Sequence, residues 1–142
     1  MNNLIELKKK HLLLFLIYSI NKKIKGIDHL LKLIYLAQKR IENLKIYDFK
    51  FEKNFVFSEE LIEDLQKLVR ERLIIEILSP LKRDEEEFDL IYYIPKDKEA
   101  TIIKEILREK INDNILLDEI RNFSNFIRKH SQDEIDAMLL QV

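Results

Sequence analysis

The 142-residue chain has no cysteine, which excludes disulfides and thiolate metal sites, and nothing in it points to an oxidising compartment. It has one glycine, Gly26. A phosphate-cradling P-loop, a dinucleotide-binding fingerprint and a nucleophile elbow all need glycines at fixed spacing, so none of them can be built here. Its three histidines, His11, His29 and His130, stand far apart with no partner at metal-ligand spacing, so no metal and no cofactor is expected. A long hydrophobic run is also missing. The longest, HLLLFLIYSI, is about half of what a bilayer crossing needs. It follows Lys8, Lys9 and Lys10 as a signal peptide would, but the next residues are NKKIK rather than a small-residue cleavage site. The segment is therefore expected to be a buried helix, and the chain to be cytoplasmic with no membrane association.

What is present is a hydrophobic fraction of 46%, enough for one domain with a real core. Charged residues make up 36%, yet the net charge is only −1. The abundance of Lys, Glu and Ile beside a single glycine gives a thermophile-like composition. The charge is unevenly placed: residues 1–50 carry +7, residues 51–100 carry −6 and residues 101–142 carry −2. The chain is electrically two-sided along its length.

Hydrophobic spacing predicts a first helix from about Asn3 to Ser19, apolar nearly all round in its second half. A second helix is expected after Asp28 as N-cap, burying Leu30, Leu31, Leu33, Ile34, Ala37 and Ile41, with Lys32, Gln38, Lys39 and Arg40 largely outside. Tyr47, Phe49 and Phe51 alternate with Asp48, Lys50 and Glu52, which is strand spacing. Ser58 can cap a third helix whose inner face is Leu61, Ile62, Leu65, Leu68 and Val69. LIIEIL and FDLIYYI flank SPLKRDEEE and predict a β-hairpin with an acidic tip near Lys82–Glu87. Asp97 can cap a fourth helix carrying Ile102, Ile103, Ile106, Leu107 and Ile111. A fifth should run from about Ile115 to Arg128. Ser131 and Glu134 form a capping box for a sixth, whose apolar stripe is either docked on the core or a homodimer seam.

The expected class is mainly α with a small β-hairpin: a winged helix-turn-helix core over residues 1–96, with C-terminal helices over 97–142 packed on it in a single domain. LLKLIYLAQKR after a glycine, YDFKFEKNFVFSEELIEDLQKLVRERLI and FIRKHSQDEIDAML together resemble the Panacea family of SocA-like antitoxins and their YwgA-like relatives. The resemblance covers most of the chain and rests on hydrophobic patterns, not catalytic signatures. It implies a winged helix, and an association with toxin neutralisation. The family has glycine-proline before the capping serine and glycine-leucine-isoleucine at the entry to the wing. Here Val56-Phe57 stands in place of that glycine-proline before Ser58.

Catalysis is not expected. Asp48-Phe49-Lys50 formally matches half of a metal-dependent nuclease motif, but the alternation explains it as the wet face of a strand. A winged helix would present its third helix to DNA. That helix offers Glu59, Glu60, Glu63 and Asp64, and the adjacent hairpin tip offers Asp84, Glu85, Glu86 and Glu87. Both surfaces would repel phosphate. The expected function is therefore non-enzymatic: a protein-interaction module, antitoxin-like or inhibiting a nucleic-acid-handling host protein, whose partner is basic or itself binds nucleic acid. The alternative is a DNA-binding transcriptional regulator using the basic N-terminal half, through Lys22, Lys23, Lys25, Lys32, Lys39 and Arg40 around the Gly26 loop.

Overall fold

The computed structural model describes residues 2–20, 23–42, 44–52, 55–80, 88–102 and 114–140. Helix α1 (Asn2–Ile20) opens the chain. Leu13, Leu14, Phe15, Leu16 and Ile17 are all buried, so its second half is enclosed on every side, as its unbroken apolar run requires. Strand β1 (Ile24–Lys25) turns Ile24 inward and Lys25 outward. Gly26 follows with φ 92°, a conformation that a Cβ would oppose, and its N–H donates to the Leu90 carbonyl at 2.7 Å.

Helix α2 (Ile27–Arg40) starts directly from that glycine. Gly26, not Asp28, is its N-cap. Asp28 lies within the first turn, exposed, where its charge suits the positive end of the helix. Residues 44–49 then run without regular structure into β2 (Lys50–Glu52), which pairs antiparallel with β3 (Phe55–Phe57). The single strand expected here is thus a short hairpin. Helix α3 (Glu59–Arg70) is capped as predicted, with Ser58 Oγ accepting from the Leu61 N–H at 3.2 Å. It ends at Arg72, whose φ of 63° lets the Leu73 N–H reach back to the Leu68 carbonyl at 3.1 Å.

Strands β4 (Ile75–Pro80) and β5 (Phe88–Tyr93) form the expected antiparallel hairpin, with Ile77 opposite Ile91. Its tip at 81–87 lies outside the described residues, as does most of the expected fourth helix. Strand β1 joins the other edge of β5, giving a three-stranded sheet of order β1-β5-β4. A 3₁₀ turn (Lys96–Lys98) leads into helical residues 99–102. Helices α4 (Asn114–Arg128) and α5 (Gln132–Leu140) complete the chain. The architecture is mainly helical with two small antiparallel sheets.

One hydrophobic cluster spans the molecule. Leu13–Ile17 and Ile20 of α1 share it with Leu61, Leu65 and Leu68 of α3 and with Ile120, Phe123 and Ile127 of α4. Helix α5 docks through Ile135, and Lys32 of α2 meets its Asp136 at 3.4 Å. Among the described residues, no helix is long and apolar enough to cross a membrane.

Candidate functional site

The carboxylates expected on the outer face of α3 do not share one fate. Leu61, Leu65 and Leu68 face inward at i, i+4 and i+7, and Asp64 lies on the same inner stripe. It is only 7% exposed, and its Oδ2 accepts the Tyr47 hydroxyl at 2.7 Å. Burial raises its pKa against the lowering effect of that hydrogen bond. Asp64 is therefore an interior anchor rather than a member of the expected contact set. Tyr47 is pushed far up, first by its own burial and then by the Asp64 charge, so it stays a donor. Glu60 is half-buried and held by Lys9 Nζ at 2.9 Å. Glu59 and Glu63, one turn apart, remain exposed on the outer face. Asp84, Glu85, Glu86 and Glu87 lie outside the described residues.

A shallow depression gathers Glu59, Glu60 and Glu63 with Asp48, Lys50 and Phe57. It abuts a feature that the alternating pattern did not predict. Phe51, Phe55 and Phe57 are 57%, 58% and 45% exposed. Register explains how. Phe57 pairs with Lys50 and Phe55 with Glu52, so these rings share the hairpin's polar face. Phe51 lies on the other face opposite Val56, and sets its edge against Tyr35 at 4.8 Å between ring centres. Only the length of the aromatic run, FKFEKNFVF, hinted that one side of a two-stranded sheet could not bury every ring. Among the described residues no group of three His, Asp or Glu side chains is arranged to hold a metal ion.

The basic set is dispersed. Lys23 and Lys25 lie beside the three-stranded sheet, and Lys39 and Arg40 lie at the far end of α2, about 20 Å of helix away. Lys23 sits over the Tyr93 ring at 5.6 Å and Lys39 over Tyr35 at 5.5 Å. Arg40 stacks on Phe126 at 4.2 Å, and Lys32 is paired with Asp136. Lys22 lies outside the described residues. A single patch around the Gly26 loop is not what these positions form.

No family model matches this chain, and no curated protein or solved structure matches it either.

Proposed function

We propose that this chain is a non-enzymatic winged-helix protein-interaction module, antitoxin-like or inhibitory toward a nucleic-acid-handling protein, and that it meets its partner through the β2–β3 hairpin and the first turns of α3. The winged-helix reading is supported by the element order and by β1 pairing with the second wing strand, β5. The antitoxin-like part rests on the Panacea resemblance alone. The observation that carries the contact surface is the exposure of Phe55 and Phe57 on one face of a short hairpin beside the exposed carboxylates of Glu59 and Glu63. Exposed rings grouped this closely are the usual anchors of an interface, and an acidic rim selects a basic partner. The reading as a DNA-binding regulator that uses the basic N-terminal half is less well supported, because Lys23 and Lys25 lie at the opposite end of α2 from Lys39 and Arg40 and do not form one patch with them.

The test is capture of the native partner by wild-type protein and by two double variants, Phe55→Ser with Phe57→Ser and Glu59→Lys with Glu63→Lys. Both should fold and lose at least tenfold in affinity, about 1.4 kcal/mol. Lys39→Glu should bind as wild type. Retention by both double variants would defeat the proposal.

A further inference from the structure

A second surface lies away from the phenylalanine hairpin, where α1 ends against the wing sheet and α4. One cleft is lined by Tyr18, Lys23, Tyr93, Lys96 and Glu99, among others. A second is lined by Tyr18, Glu99, Arg121, Asn125 and Arg128, with Ser19 beside them. They share Tyr18 and Glu99, so they are two halves of one depression. Among the described residues, four cations line it against one carboxylate, on a chain whose net charge is −1.

The cations are arranged in two groups. Arg121, Asn125 and Arg128 recur at i, i+4 and i+7 and form a stripe about 10 Å long on α4. Lys23 and Lys96 lie at the other end, beyond Tyr18. All four are exposed. Arg121 meets Asp118 at 3.1 Å, but that pair is open to solvent and yields readily to a better anion. Arg128 donates to the neutral Asn125 side chain. Asp97 shares a turn with Lys96 without lining the cleft. Between the cation groups lies the half-exposed ring of Tyr18, which lines both clefts, whereas Tyr93 lies with Lys23, whose ammonium stands over its ring at 5.6 Å.

Separated cations with an aromatic ring between them suit a ligand that alternates phosphates and flat bases. A mononucleotide would engage one cation group only. A duplex keeps its bases stacked inside and cannot lay one on a ring set in a depression. We propose that this depression binds a short stretch of single-stranded nucleic acid, with the backbone running from Lys23 and Lys96 to Arg121 and Arg128 and a base resting on Tyr18. The proposal does not depend on the hairpin interface.

Fluorescence anisotropy with a labelled single strand of about a dozen nucleotides tests it. Binding should weaken with salt, with log affinity against log salt falling by about 3 per decade for four neutralised phosphates. Arg121→Glu with Arg128→Glu should reduce affinity on the order of tenfold or more at about 50 mM salt. The milder pair Lys96→Ala with Arg128→Ala should lower the salt slope by about 1.4. Circular dichroism spectra matching wild type would show that both variants fold. Lys39→Glu, remote from the depression, should bind normally. The proposal is overturned by absence of binding at about 50 mM salt, or by wild-type affinity in both double variants. Equal affinity for a duplex of the same sequence, or equal displacement by a nucleoside monophosphate or by polyglutamate, would overturn it as well.

Discussion

The Tyr47 hydroxyl donates to Asp64 Oδ2 at 2.7 Å, in a position where neither group reaches bulk water freely. The bond ties the extended segment after α2 to the inner face of α3, and it divides the acidic residues of that helix into anchor and surface. Asp64→Lys should therefore destabilise the fold by about 3–5 kcal/mol, as an unpaired buried charge does, whereas Glu63→Lys should stay within about 0.5 kcal/mol of wild type. Chemical denaturation of the two variants checks this.

The same pair has a pH signature. Burial raises the folded pKa of Asp64 above its unfolded value. The stability linked to its neutral form is complete below the ordinary aspartate range, near pH 4, and is lost as pH rises through the raised folded value. Asp64→Asn lacks this loss. Its melting temperature relative to wild type should increase between pH 4 and pH 7, and a constant difference would contradict the assignment.

Gln38 performs a strand's work from a helix. Its Oε1 accepts from the N–H groups of Ile46 at 3.3 Å and Tyr47 at 2.9 Å, and its Nε2 donates to the Tyr47 carbonyl at 2.9 Å. Gln38→Leu leaves three backbone groups without that partner and should lose about 2–4 kcal/mol. Gln38→Glu keeps the two accepted bonds and should lose less. Faster amide exchange at Ile46 and Tyr47 in the leucine variant would locate the effect.

Arg72 holds φ at 63°, a left-handed conformation that disfavours any side chain. Arg72→Gly should raise stability by about 0.5–1 kcal/mol, with part of the relief offset by the greater freedom of glycine in the unfolded chain. Thermal unfolding of the single variant is sufficient to test it.

The capping box at α5 is reciprocal. The Glu134 N–H donates to Ser131 Oγ at 3.2 Å, and the Ser131 N–H donates to Glu134 Oε1 at 3.1 Å. Ser131→Ala should cost about 1 kcal/mol of helix stability. The backbone hydrogen bond from Ser131, then that from its side chain, lowers the pKa of Glu134. Its contribution is thus present above the ordinary glutamate value, about 4.3, and is lost as pH falls through the lowered one. A carboxyl NMR titration should find Glu134 below the ordinary range in wild type and closer to it in Ser131→Ala, which keeps the backbone donor and loses only the hydroxyl.

Features written in local spacing were legible before any coordinates. The caps at Ser58 and Ser131, the β4–β5 hairpin and the all-round burial of α1 follow from neighbouring residues alone. Features that depend on a distant partner were not. Nothing in the spacing of Gln38 distinguishes a solvated glutamine from one that completes an extended segment. Asp64 resembles its acidic neighbours until Tyr47 is placed beside it. Phe51 alternates as a buried residue would, yet its hairpin has only one partner strand and leaves the ring exposed. The basic residues near Gly26 looked contiguous because they are close in sequence, whereas the length of α2 sets them apart.

The pairing of Ile24 with Tyr92 joins residues roughly 70 positions apart, so the order of events during synthesis matters. As the chain leaves the ribosome, α1 emerges before these strands, with apolar residues on every side of its second half. Strand β5, which holds β1 and through it the end of α1, follows on the order of seconds later. The hairpin of β4 and β5 closes locally and early, whereas the β1 edge can lock only after that hairpin exists. Over that interval α1 can be covered by α2 and α3 but not by α4, which leaves part of its apolar surface open to chaperones and to aggregation in a nascent or truncated chain.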